Sequence, residues 1–134
     1  MEMQMKDNKP YHKKKYIIPG LKLRLYFLNK ATDKNFIDFI KPVLTDISKI
    51  NSDDVRDSDL CDLFVKIKSI YEWVELNDCG LPAFEYRVLS SQLNDLLSIT
   101  AAYLYKNEDI QATAENRALF IDTVKQGIKE IDLA

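Results

Sequence analysis

The residues best suited to recognition chemistry sit near the start of the chain. Tyr11-His12-Lys13-Lys14-Lys15-Tyr16 interleaves aromatic rings with cations, and Lys22 and Arg24 continue the basic run. Cations of this kind attract phosphates without reading base sequence, and rings stack on unpaired bases. The same residue types serve protein recognition, where Tyr, Trp and Arg carry most of the binding energy. Tyr26 and Trp73 fall outside the apolar pattern of their segments and join the set. The candidate partner-binding residues are therefore Tyr11, Lys13, Lys14, Lys15, Tyr16, Lys22, Arg24, Tyr26 and Trp73. Val65, Leu28, Phe39, Ile99, Tyr105, Leu119 and Phe120 also lie off the main stripes, as core on a second face or as contact surface.

Catalytic chemistry finds little support. A Ser-His-Asp or Cys-His relay needs an imidazole oriented by a third group in a rigid shell. His12 is the single histidine and lies in a polar leading segment. Cys79 beside Gly80 reads as a small residue in a tight turn. Gly20, Gly80 and Gly127 are too scattered to form a phosphate cradle. Asp53, Asp54, Asp57, Asp59 and Asp62 cluster, but a calcium loop needs alternating oxygen ligands, a central Gly and a late Glu. Here their simpler role is to complement a positive helix N-terminus. Cys61, Cys79 and His12 do not have zinc-site spacing. Carboxylates converging from distant positions are the one catalytic route left open, with no pair indicated. The chain is read as a non-enzyme with no metal and no cofactor.

The elements that position these residues follow from composition and periodicity. The chain has 134 residues, 46% hydrophobic and 30% charged, with net charge −2. That is an ordinary globular balance for one domain and not a disordered chain. Charge is unevenly placed. Residues 1–30 carry eight basic residues against Glu2 and Asp7, a net +6, while residues 31–134 carry eleven basic against nineteen acidic, a net −8. The acidic body disfavours a duplex. Four dispersed arginines, Arg24, Arg56, Arg87 and Arg117, give no cluster for bidentate guanine contacts. Cys61 and Cys79 flank a helix that holds them more than about 20 Å apart, too far for a disulfide, so two free thiols and a reducing compartment are expected. Neither a signal-peptide h-region nor a run of ~18 apolar residues is present, which points to the cytoplasm.

Residues 1–15 read as a mobile basic arm and residues 16–134 as a single, mainly helical domain. Leu21, Leu23, Leu25 and Phe27 alternate with Lys22, Arg24 and Tyr26, the period of a half-buried strand, and Pro19-Gly20 suggests a hairpin turn. A helix starting after Gly20 is the competing reading. Asp33 caps a helix to Ile50 with the stripe Phe36, Ile40, Val43, Ile47 and Ile50. Pro42 either kinks it or marks a later start near Lys41. Asp57 or Ser58 caps a second helix to about Leu76, and Gly80 and Pro82 separate it from a third, Ala83 to Tyr105. Thr113 caps a last helix through Ile131, weakened modestly by Gly127.

The expected fold is mainly α: an irregular bundle of about four helices, with an N-terminal β-strand or hairpin and a basic arm. The expected function is binding of another protein, as an adaptor, inhibitor, immunity protein or assembly chaperone. A second copy of this chain is included among the partners. A nucleic-acid-binding accessory role for the basic N-terminal segment is the alternative, weak and salt-sensitive. No membrane partner is expected. Usage rich in Lys, Ile, Asn and Asp fits an AT-rich genome, such as that of a phage or mobile element.

Overall fold

The computed structural model describes residues 23–77, 79–106 and 111–133. A 3₁₀ helix, Leu25–Lys30, leads into α1 (Lys34–Ser48), α2 (Asp57–Leu76), α3 (Ala83–Leu104) and α4 (Ala114–Lys129). The expected arm, residues 1–15, lies outside the described residues.

Helix α1 begins as its sequence indicates. The Asp33 carboxylate accepts from the Phe36 N–H at 2.9 Å, satisfying one of the orphan donors of the first turn. The helix then runs unbroken through Pro42. Pro42 is exposed, so the carbonyl that loses its donor can turn to water. The buried stripe is Phe36, Ile40, Leu44 and Ile47, with Leu44 in place of the expected Val43. Helix α2 starts at Asp57, with Arg56 preceding it. The Arg56 N–H donates to the Asp59 carboxylate at 2.9 Å. In α4 the Thr113 hydroxyl accepts from the Asn116 N–H at 3.1 Å.

The most extensive packing joins α2 to α3, an antiparallel hairpin across the Asn77–Pro82 link, and α1 and α4 close around it. One apolar cluster fills the interior, with Phe36, Ile40, Leu60, Leu63, Leu89 and Phe120 fully buried. Glu75 ties the hairpin near its turn, accepting from the Tyr86 hydroxyl and the Ser90 hydroxyl, each at 2.8 Å.

The strand expected over Leu21–Phe27 is overturned where the chain is described. Residues 23 and 24 are irregular and a 3₁₀ helix follows. A strand needs a neighbour to take its N–H and C=O groups, and no strand occurs among the described residues. The 3₁₀ turn satisfies them locally: the Phe27 N–H donates to the Arg24 carbonyl and the Ala31 N–H to the Leu28 carbonyl, both at 3.0 Å. Positions three apart align on one side of such a helix, which sends Leu25 and Leu28 into the core together. The hairpin expected over residues 16–22 lies outside the described residues. Gly127 has a packing role here. A Cβ at that position would stand 2.9 Å from Leu23 Cδ1 and 3.3 Å from Leu25 Cδ1, so the bare backbone lets this segment lie on α4.

Candidate functional site

The chain entering the 3₁₀ helix is fixed to α3 by one hydrogen bond, from the Arg24 N–H to Gln92 Oε1 at 2.6 Å. Because the bond uses backbone, the Arg24 side chain is free to face outward, and it is exposed. Leu25 and Leu28 anchor the next turn, which brings Phe27 beside the start of α3. The Tyr26 and Phe27 rings meet edge-on at 4.9 Å, and Phe27 and Phe84 at 6.0 Å. Tyr26 is 41% exposed and Phe84 55%. Phe84 borders an open groove of about 430 Å³ lined also by Arg24, Arg87, Val88, Ser91 and Gln92. Phe84 thus joins the Tyr26–Phe27 ring pair to a groove that carries two arginines.

Its electrostatics set it apart from the other two open grooves described here. One, about 370 Å³ between α1 and α4, mixes Lys41 and Asp132 with Leu44, Ile128 and Leu133. The other, about 400 Å³ beside the start of α2, gathers Asp46, Asp54, Asp59 and Asp62 with Lys49 and Arg56. No carboxylate lines the groove of Arg24 and Arg87. Neither guanidinium pairs with a carboxylate among the described residues. Two cations bordering apolar rings can grip a planar anion and an apolar side chain together.

Four of the five carboxylates in the acidic cluster have partners within the fold. Asp57 pairs with Arg117 at 2.7 Å, Asp62 with Lys66 at 2.6 Å, and Asp54 with Arg56 at 3.5 Å. Asp59 holds the Arg56 N–H, and Asp53 donates its own N–H to Asn51 Oδ1 at 2.9 Å. Among the described residues no group of three or more His, Cys, Asp or Glu is arranged to hold a metal ion. Cys61 is exposed and Cys79 buried, and neither forms a disulfide.

At the opposite end of α3, Arg117 reaches from α4 to three elements. Beyond Asp57, its guanidinium donates to the Val55 carbonyl and the Tyr103 carbonyl, both at 3.4 Å. Its Nε–H is buried without an acceptor among the described residues. Tyr103 stacks on Phe120 at 5.3 Å and is 1% exposed. Burial holds its phenol in the neutral form and pushes its pKa up to about 12. The Tyr86 phenol is also raised, chiefly by its hydrogen bond to the Glu75 carboxylate.

For Tyr103 the linkage has a definite sign. Below about pH 10 the phenol is protonated in both folded and unfolded chains, and its contribution to stability is complete. Between about pH 10 and 12 the unfolded chain ionises while the folded one does not, so stability falls as pH rises. Urea midpoints across this range are expected to decline for the native sequence and to decline less for Tyr103→Phe. Equal slopes would contradict the assignment.

The residues expected to bind a partner divide accordingly. Arg24 and Tyr26 come together on the face described. Tyr11, Lys13, Lys14, Lys15, Tyr16 and Lys22 lie outside the described residues. Trp73 is elsewhere, half-buried, stacked on Phe39 at 4.7 Å and 6.1 Å from Phe36, and it wedges α2 against α1. Its indole Nε–H is buried with no acceptor among the described residues. Leu28, Ile99 and Phe120 belong to the core, whereas Val65, Tyr105 and Leu119 are exposed. Phe84 and Arg87 were not anticipated. The available signal was Phe84, an exposed aromatic residue in the first turn of α3, ahead of the buried positions Leu89, Leu93 and Leu96.

No helix among the described residues is long and apolar enough to cross a membrane. Comparison of the chain with protein-family models, with curated proteins and with solved structures finds no match.

Proposed function

We propose that this chain acts by binding another protein, through the face of Arg24, Tyr26, Phe84 and Arg87, and that it is not an enzyme. An adaptor, an inhibitor, an immunity protein and an assembly chaperone all need only such a complementary surface. The cytoplasm is the fitting compartment, because exposed Cys61 persists as a thiol there. The supporting observation is the 55% exposure of Phe84 in contact with the Tyr26–Phe27 ring pair. Single exposed apolar residues are common. An aromatic cluster beside arginines that pair with no carboxylate among the described residues has the composition of an interface hot spot.

The test is affinity purification from the native cells with the wild-type chain and with Phe84→Ala/Arg87→Ala. Both residues are exposed, so the variant is expected to keep its thermal midpoint. A protein recovered with the wild type is expected to bind the variant at least about tenfold more weakly. Equal recovery by the variant would remove the face from the account. Recovery abolished by nuclease treatment would replace protein with nucleic acid as the partner.

A further inference from the structure

We infer that the partner enters this face as an acidic segment carrying a large apolar anchor residue. The inference rests on the protein-binding reading of the same groove and specifies its chemistry. The lining combines apolar Phe84 and Val88 with the cations Arg24 and Arg87. A volume of about 430 Å³ has room for a large side chain with its neighbouring backbone. The two guanidiniums come from different elements, the chain before the 3₁₀ helix and the second turn of α3. The hydrogen bond from the Arg24 N–H to Gln92 fixes their bases relative to each other.

Charge complementarity decides the sign of the occupant. This groove has two cations, no lining carboxylate and, among the described residues, no carboxylate paired with either cation. A guanidinium in a groove without carboxylates is matched by a carboxylate of the occupant, which accepts its two parallel N–H donors. The N-terminus of α3 has no side-chain cap and adds partial positive charge at the same end. Glu85, the acidic residue of that first turn, does not line the groove. A nucleic acid would also meet the two arginines, but the remaining body would repel its continuous phosphates. An acidic peptide places charge only at the two arginines.

The test uses the full chain and labelled peptides in fluorescence anisotropy. The probes are a short Asp/Glu-rich peptide with a central Leu-Phe, the same peptide with Ser-Ser in the centre, its Asn/Gln counterpart, and a single-stranded oligodeoxynucleotide. The first is expected to bind, with affinity falling at high salt. Arg24→Ala/Arg87→Ala is expected to weaken it about tenfold, as are the Ser-Ser and the Asn/Gln replacements. Equal binding of the Asn/Gln peptide, equal binding by the double variant, tighter binding of the oligonucleotide, or no binding of the acidic peptide would each overturn the inference. If the peptides fail while Phe84→Ala still severs the native protein partner, the inference falls and the protein-binding reading stands. If both fail, both fall.

Discussion

Gly80→Ala is expected to destabilise the fold by about 3 kcal/mol, combining roughly 1–2 for a left-handed backbone with a side chain and roughly 1–3 for overpacking. Gly80 has φ of 74°, and a Cβ there would overlap Thr32 Oγ1 and lie 3.0 Å from the Thr32 nitrogen. The close approach is functional in the folding sense. The Cys79 carbonyl accepts from both the Thr32 and the Asp33 N–H at 3.1 Å, docking the start of α1 on the α2–α3 turn. A side chain at Gly80 pushes these donors away, and they would have to find water. Urea unfolding measures the loss. Adding Thr32→Ala to Gly80→Ala removes the overlapping hydroxyl and is expected to restore part of the stability, leaving the backbone cost. A double variant no more stable than Gly80→Ala would show that the overlap is not the cause.

Arg117→Ala is expected to cost about 2–3 kcal/mol. The Arg117 side chain is 11% exposed and its partner Asp57 58%, so the ion pair alone, screened on one side, accounts for a minor share. The larger share comes from the Val55 and Tyr103 carbonyls, which lose a charged donor in partly buried surroundings. Arg117→Lys is expected to recover only part, because an ammonium lacks the planar fork that spans three acceptors. Asp57→Ala is expected to cost less than Arg117→Ala, and its effect to shrink with salt. An unchanged urea midpoint for Arg117→Ala, or full recovery with Lys, would contradict the clamp.

The helices were legible because their apolar residues recur at three and four, and because Asp33 and Thr113 stand where a capping acceptor is needed. The start of α2 was less legible. Arg56 has no acceptor side chain, and its N–H is held by Asp59 reaching back, a reversal of the usual sense. The segment before α1 misled for a physical reason. Leu23, Leu25 and Phe27 alternate, but Leu25 and Leu28 also satisfy the three-residue period, and with no strand among the described residues to pair with, the local turn wins. Half of the candidate face was visible in Arg24 and Tyr26. Phe84 and Arg87 join it only through the fold, since the Arg24–Gln92 contact spans 68 residues. The Arg117–Asp57 pair, 60 apart, was hidden for the same reason. Trp73 looked like a binding residue by type, and the stacking on Phe39 that occupies it is a tertiary fact.

The most direct test of the central claim is an amide-resonance map of the chain titrated with its purified protein partner. The predicted shifts centre on Arg24, Tyr26, Phe27, Phe84, Arg87 and Val88, and disappear in Phe84→Ala/Arg87→Ala. Shifts centred instead on the groove of Lys41, Leu44 and Leu133, with the aromatic face silent, would contradict the account.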